Sequence, residues 1–585
     1  MSDNFIFDKE VSILIAGEAG QGIESITNII SKVFKENGFN VFYTLEYMSR
    51  IKGGCNSSSI RISNSKVSAY KEKADFIFAL SKDAINHLKK RIFKDSIPEN
   101  AFIFYEYNNE PLLDNFVNKI KIDFSVIAKE LGGSIYANSI ISGIIMGILN
   151  INLELLQKNL KQIFSDKPED VIEKDLAASS EGYEKGKSLA LGKNISVNLK
   201  NEINEDEIRQ SEILINGNDA IALGCIAGGV DFISSYPMSP STGILTFLAK
   251  HSDEFKILVE QAEDEIAAIN MGLGAWYAGA RAMTSTSGGG FALMTEAVSL
   301  SGMTETPMVI FLGQRPGPAT GLPTRTEQGD LNLALYSGHG DFARIILTPG
   351  TLEDGFYLAQ NAFNLADRFQ VPVFILSDQY FADSCYNVKP FDLEKIEVTE
   401  YVQKTSKDYK RYAFSGNGTS SRGIPGYGEG LVVIDSDEHD EEGHITESHD
   451  MRMKMVNKRM AKLTSIKYES LPPELFGDIE AENLIIGWGS TCEIIKEALK
   501  EINNPNIAFL YFKQIYPLNK SVLEYFKNAK KIICIENNYT GQFANLLKLE
   551  LDINVDERIL KYNGLPFSVE ELVLKINELT KGVIL

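Results

Sequence analysis

The stretch VSILIAGEAGQGIESI, residues 11–26, sets the first constraint on the fold. An apolar run of strand length ends in three closely spaced glycines, Gly17, Gly20 and Gly22, and a helical pattern then runs on through Val33 and Phe34. A strand that passes through a glycine turn into a helix is the opening of an α/β unit. NVFYTLE, SSIRIS, ADFIFAL and AFIFYE follow as further strands, and the alternation predicts a mostly parallel sheet over residues 1–190. The glycine spacing is not the dinucleotide GxGxxG pattern. It leaves two readings open: a tight turn, or backbone N–H groups presented to an anion at a helix N-terminus.

The same arrangement recurs twice. Residues 191–211 read as a polar linker, and a second α/β block spans 212–390 with strands such as VDFISSYP, ARAMTSTS, PMVIFLG and VPVFILSD. Residues 391–474 break the pattern. They pass from a Gly- and Ser-rich basic stretch through the acidic DSDEHDEEGHITE to the basic helical MRMKMVNKRMAKL, and read as an excursion without a core of its own. A third block, 475–585, carries NLIIGWG, IAFLYF and KIICIEN as strands. A length of 585 residues accommodates this multidomain α/β reading.

Composition narrows the function classes. A formal charge of −21 argues against a nucleic-acid partner, which needs clustered Lys and Arg. The five cysteines lie far apart with no CxxC pair, so no zinc or iron–sulfur ligand run is visible. The start lacks a basic region followed by an apolar one, and SIISGIIMGILNINL is too short and interrupted to span a bilayer. A soluble cytoplasmic protein is expected.

Four motifs of the second block carry candidate chemistry. SSYPMSPSTG, from Ser234 to Gly243, is a stiff, hydroxyl-rich loop after a strand, and its remaining serines are expected to cap the next helix. VEQAEDEIAAINMGLGAWYAG brings Glu260, Glu263, Asp264 and Glu265 to the start of a helix. These acids either complement the helix dipole, or one is held in a dry site where it exchanges a proton. In TSTSGGGF, the glycines Gly288 and Gly289 permit close approach of a ligand or a neighbouring backbone. In GQRPGPATGLPTRTEQGDL, prolines fix where Arg315, Thr320 and Thr324 point, and Arg with hydroxyls is a natural clamp for a carboxylate. DEHDEEGH, with His439 and His444, reads as a solvated acidic loop rather than a metal site.

Taken in order, YPMSPST, EDEIAAINMGLGAWYAG, TSTSGGG and QRPGPATGLPTRTEQGDL resemble the α subunit of 2-oxoacid:ferredoxin oxidoreductases, thiamine-diphosphate enzymes that make acyl-CoA. Residues 1–190 resemble the family's Rossmann-like γ domain, fused in front. Residues 212–390 resemble its pyrimidine-binding domain, and 475–585, with IENNYTGQF, a transketolase C-terminal-like domain.

The resemblance implies site residues. Counting back nine from Gly274 and fourteen from Gly279 assigns Glu265 as the acid that hydrogen-bonds N1′ of the cofactor's aminopyrimidine. Tyr236, Pro237, Gly288 and Gly289 line the same cofactor, and Ser239, Arg315 and Thr324 grip the 2-oxoacid, with Ser239 standing where many relatives have Thr. Gly17, Gly20, Gly22 and Lys52 are candidates for a coenzyme A loop. There Ala19 replaces a glycine, Lys52 an arginine and Cys55 a frequent histidine. No GDG…N stretch is present, so the resemblance implies a β subunit that carries Mg²⁺, the diphosphate site and a [4Fe–4S] cluster. An (αβ)₂ assembly, ferredoxin as acceptor, and 2-oxoglutarate ahead of pyruvate or branched-chain oxoacids are expected. A non-redox transketolase-like transferase and a non-catalytic scaffold are the competing readings.

Overall fold

The computed structural model describes residues 4–49, 54–92, 101–106, 113, 117–199 and 211–580, without the side chains of 87 and 89–92. The chain forms two compact units. The first comprises residues 1–215 with 384–390 and 568–570, and the second holds the remainder.

The first unit is built on an eight-stranded sheet. Asn118–Lys121, Phe102–Tyr105, Phe76–Ala79 and Glu10–Glu18 lie side by side and parallel. Cys55–Ser63, Asn40–Glu46 and Cys385–Val388 then continue the sheet antiparallel, and Ile213–Asn216 forms its edge. The sheet is therefore mixed, not mostly parallel. Only eight residues separate Asn40–Glu46 from Cys55–Ser63, and a connection that short can join only antiparallel neighbours. Cys385–Val388 also corrects the sequence-based boundary at 390, since this strand pairs with Asn40–Glu46 of the first unit. The linker expectation is corrected in part: Ile195–Val197 is a strand paired in parallel with Phe5–Phe7.

The apolar run at 139–153 lies mostly in the helix Ala137–Ile148, which packs along Glu169–Gly192. Gly143 and Gly147 meet the carbonyls of Ser179 and Tyr183, while Gly182 and Gly186 meet those of Ile140 and Ile144. At each of these glycines a Cβ would collide with backbone. No helix among the described residues is long and apolar enough to cross a membrane.

The second unit has two sheets. In the larger, Leu258–Gln261, Phe232–Ser235, Ala282–Ser287, Met308–Gln314, Pro372–Asp378 and Ile345–Leu347 run parallel, and Gln514–Tyr516 closes the edge antiparallel. The smaller has the order Glu474–Phe476, Ile507–Phe512, Asn483–Trp488, Lys531–Glu536, Glu557–Leu560. Ala282–Ser287, Met308–Gln314, Ile345–Leu347, Pro372–Asp378 and Ile507–Phe512 are buried along their whole length, as strands covered on both faces are.

Residues 391–474 are far more embedded than an excursion would be. Glu305, with no measurable exposure, receives Lys458 Nζ at 2.7 and 2.8 Å and Lys462 Nζ at 2.6 Å. Arg411 donates to the Glu305 carbonyl at 2.6 Å. Burial by itself would raise the Glu305 pKa, but Lys462, Lys458 and Arg411 outweigh it and hold the carboxyl well below its ordinary range. Arg422 pairs with buried Asp367 at 2.7 Å. The acidic stretch departs from its reading as a solvated loop. His439 is buried against the Tyr412 ring, 3.9 Å between centroids, and Glu438 binds Arg459 at 2.9 Å and Arg452 at 2.5 Å. His444 does remain exposed. Charges of opposite sign, far apart in sequence, are thus spent on each other.

Candidate active site

Four parallel strands of the large sheet, Phe232–Ser235, Ala282–Ser287, Met308–Gln314 and Pro372–Asp378, end on the same side. The loops leaving these carboxyl ends carry most of the polar residues singled out by sequence, at the edge where open α/β sheets bind ligands.

The first loop follows Ser235. Ser234 Oγ donates to the Ala268 carbonyl at 2.5 Å, and Ser235 Oγ meets Ser285 Oγ at 2.9 Å, so these serines tie strands and helices together rather than cap. Ser241 likewise donates to the Met238 carbonyl at 2.7 Å and makes no cap bond to the helix Thr242–Lys250. Tyr236 and Ser239 are exposed and Pro237 is half-buried. Arg315 Nη1 donates to the Ser239 carbonyl at 2.7 Å, which joins this loop to the one after Met308–Gln314.

The four acids of the second motif separate cleanly. Glu260, Glu263 and Asp264 are exposed. Asp264 caps the helix Glu265–Ala278, its Oδ1 accepting from Ala267 N at 2.7 Å. Glu265, the first residue of that helix, is 4% exposed, and its buried Oε1 has no hydrogen-bond partner among the described residues. The glycine turn makes room for it: a Cβ on Gly290 would stand 2.5 Å from Glu265 Oε1 and would also strike Thr286 Oγ1. Gly289 is exposed and faces open space, its absent Cβ no nearer than 3.6 Å to any atom outside its immediate surroundings. Gly290, not named from the sequence, is therefore the glycine that faces this carboxylate. Buried Thr284 Oγ1, Ser287 Oγ and Gln314 Nε2 are likewise without partners. Buried polar atoms left unsatisfied in a group call for a ligand with matching donors and acceptors.

A second carboxylate, also missed by sequence, lies beside Gly288. A Cβ there would come within 2.5 and 2.6 Å of the two Asp330 oxygens. Burial raises the Asp330 pKa to about 6, against the opposing pull of Arg315. Burial, then repulsion from Asp330, raises Glu327 to about 7. Burial lowers the Arg315 pKa, while Asp330 acts the other way. Arg315 Nε is buried and has no partner among the described residues. Thr324 is half-buried. Its neighbour Thr326 is committed to structure, with Oγ1 donating to Asp378 Oδ1 at 3.1 Å and accepting from Tyr380 N at 3.2 Å.

The loop is fastened from the other sheet by the segment IENNYTGQF. Gln328 Nε2 donates to the Trp488 carbonyl at 2.8 Å, and its Oε1 accepts from Asn537 N at 2.9 Å. Asn538 Nδ2 donates to the Gln328 carbonyl at 3.1 Å. Gln542 Nε2 donates to the Gly329 carbonyl at 2.7 Å, while its Oε1 accepts from Asn332 N at 2.9 Å.

In the first unit, Gly20 and Gly22 adopt left-handed φ of 93° and 74°, and Gly22 caps the helix Ile23–Glu36 without a side-chain bond. Among the described residues, nothing lies within 4 Å of a Cβ built on Gly20. A Cβ on Gly17 would meet Gln21 Oε1 at 2.5 Å, and that oxygen accepts from Glu18 N at 2.7 Å. Ala19 N bonds the Gly54 carbonyl at 3.1 Å. Lys52 lies outside the described residues. All five cysteines are buried.

The family described as pyruvate flavodoxin/ferredoxin oxidoreductase, thiamine diphosphate-binding, matches residues 223–458, and the family described as pyruvate ferredoxin/flavodoxin oxidoreductase matches 12–185. The 2-oxoacid:ferredoxin oxidoreductase α subunit of a Sulfolobus species is 31% identical over 97% of each chain. The 2-oxoglutarate synthase subunit KorA of Archaeoglobus fulgidus is 32% identical over 56% of this chain and 88% of its own. The 2-oxoglutarate:ferredoxin oxidoreductase from Magnetococcus marinus, solved with 2-oxoglutarate, coenzyme A and succinyl-CoA bound, superposes with a TM-score of 0.88 at 30% identity, covering 98% of this chain and 99% of that one. By full-length likeness in sequence and in fold, the chain belongs to the 2-oxoacid:ferredoxin oxidoreductase family, as an α subunit.

Proposed function

We propose that this α subunit acts on 2-oxoglutarate, converting 2-oxoglutarate, coenzyme A and two oxidised ferredoxins to succinyl-CoA, CO₂, a proton and two reduced ferredoxins. The observation that carries the substrate is the likeness, over nearly the whole of both chains, to an enzyme solved with 2-oxoglutarate and succinyl-CoA bound. The thiamine diphosphate-binding family match over 223–458 covers all the residues of the large sheet's site.

The residues present fit that cofactor. Glu265 offers a buried, unpartnered oxygen beside Gly290, which is the environment a protonated ring nitrogen of the aminopyrimidine would satisfy. Bound thiamine diphosphate supplies the carbon nucleophile and the electron sink for decarboxylation. Glu265, fixed at the start of its helix and shielded from water, would hold the proton shared with N1′. Tyr236, Pro237, Gly288 and Gly289 would border the cofactor. Arg315 would receive the oxoacid carboxylate, its unpartnered Nε being free to donate, with Thr324 and Ser239 adding hydroxyls from the two joined loops. The prolines around Arg315 limit the freedom lost on binding.

Coenzyme A would approach the glycine turn of the first unit, where Gly17, Gly20, Gly22 and Lys52 are the candidate loop. We assign Mg²⁺, the diphosphate site and the [4Fe–4S] cluster to a β subunit because this sequence has neither a GDG…N stretch nor a CxxC run. An (αβ)₂ assembly in the cytoplasm, with ferredoxin as acceptor, completes the reading.

The test is co-purification with the product of the adjacent gene, then reduction of methyl viologen with CoA and a panel of 2-oxoacids. 2-Oxoglutarate is expected to exceed pyruvate in kcat/KM by at least about tenfold, a ratio within reach of a pocket that recognises a second charged group. A preference for pyruvate would overturn the substrate, and turnover by the single chain would overturn the two-subunit reading.

A further inference from the structure

We propose that Asp330 is a further residue of the oxoacid site: it takes up one proton from solvent as the substrate carboxylate settles against Arg315, and returns it when that anion leaves. This rests on the reading of Arg315 as the oxoacid grip.

Asp330 lies against the glycine turn of the proposed cofactor site. Both its carboxylate oxygens occupy the space that a side chain on Gly288 would fill, next to buried Ser287 with its unpartnered hydroxyl. Asp330 Oδ2 is itself buried and has no hydrogen-bond partner among the described residues. The backbone around it is fixed. Asp330 N donates to Gln314 Oε1 at 3.0 Å, and the single side chain of Gln542 holds the Gly329 carbonyl on one side and Asn332 N on the other.

The charges facing Asp330 are few. Arg315 is the cation whose field favours its ionised form. Glu327, on the same loop, repels it. Glu265 lies across the glycine turn, beside Gly290. The other acids of the packed elements are occupied: Asp378 accepts from Thr326, Ser490 and the backbone N–H of Phe381, and Glu536 accepts from Trp488, Asn538 and the backbone N–H groups of Phe543 and Ala544. One guanidinium therefore serves two anions once an oxoacid binds. The incoming carboxylate claims Arg315, and two anions sharing one guanidinium disfavour each other's ionisation. Asp330 is the one that yields, because it is the acid whose ionised form draws on Arg315 and so loses its counter-charge, whereas Glu327, raised by burial and by Asp330, does not draw on Arg315.

The sign follows. Below pH 6 Asp330 is protonated before substrate arrives and binding needs no proton. Above it, binding must draw a proton from solvent, so the apparent KM climbs with pH. In the reconstituted α–β complex, the KM for 2-oxoglutarate is expected to rise at least about threefold from pH 6 to pH 8, with kcat changing less. Asp330→Asn keeps size and neutral hydrogen bonding, and is expected to hold KM at the low-pH value across that range. Glu327→Gln is the second variant and is expected to leave the rise in place. Melting temperature and thiamine diphosphate affinity, measured on each variant, separate this effect from misfolding. A wild-type KM that is flat from pH 6 to pH 8, a rise that persists in Asp330→Asn, or a rise lost in Glu327→Gln each overturns the proposal. If Asp330→Asn fails to assemble, the wild-type and Glu327→Gln profiles still decide. Arg315→Lys tests the underlying reading separately: an unchanged KM in that variant removes Arg315 from the oxoacid, whatever Asp330 does.

Discussion

Two buried acids of the second unit invite comparison. Glu305 is removed from water and fully answered, with two lysines on its carboxylate and Arg411 on its carbonyl. Glu265 is nearly as buried and one of its oxygens is answered by nothing among the described residues. Desolvation is costly for both. In the first case the protein compensates internally, and the result is an anchor that fastens the helix His449–Glu469 to the end of Thr295–Thr304. In the second no such compensation is present among the described residues, which is what the proposed cofactor contact requires. Burial alone does not distinguish a structural carboxylate from a functional one; what the neighbours leave unpaired does.

The comparison can be broken in both directions. Replacing Glu265 by Gln is expected to reduce CoA-dependent viologen reduction by about 10²–10⁴-fold, the range for losing a proton-transfer group, with the melting temperature unchanged. Activity near the wild-type level would place Glu265 with the structural acids. Glu305→Gln leaves Lys458 and Lys462 without their counter-charge, and denaturant unfolding should register a loss of about 3–5 kcal/mol, with KM for the oxoacid preserved. A loss of catalysis without loss of stability would reverse the assignment. Tyr412→Phe removes the hydroxyl that bonds the Thr304 carbonyl at 3.2 Å beside the same anchor, and about 1 kcal/mol is expected by the same measurement. Ser239→Ala should raise the oxoacid KM by only about two- to fivefold, the scale of one exposed hydrogen bond, with thiamine diphosphate affinity unaltered. The Arg315 bond to Ser239 runs through the backbone carbonyl and survives that change.

Legibility in the sequence followed locality. The strand-turn-helix pattern is local, and VSILIAG, ARAMTSTS and PMVIFLG are strands followed by the turns expected of them. Glu265 was reachable because the family pattern spaces it from Gly274 and Gly279 along one helix. Asp330 was not. It follows a Pro-, Thr- and Gly-rich loop, where an acid ordinarily faces water, and its importance depends on a glycine 42 positions away that has no side chain. The acidic and basic tracts of 391–474 misled for a related reason. Each looks solvated alone, and their burial is set by pairing across distance, as between Glu305 and Lys458 or Asp367 and Arg422. Cys385–Val388 follows VPVFILSD closely, so nothing in composition marks the point at which the chain joins another sheet.

The paired glycines of Ala137–Ile148 and Glu169–Gly192 have a consequence for how this part of the chain can change. Gly143, Gly147, Gly182 and Gly186 each abut the opposing helix's main chain, so the obstacle to a methyl group is backbone that no compensating side-chain substitution can trim away. Second-site rescue, the usual route by which a packed interface drifts, is closed at these four positions. A library randomised along the two helices should return glycine there while the flanking isoleucines exchange with other aliphatics, leaving a four-letter signature in which the register of the pair can be read directly.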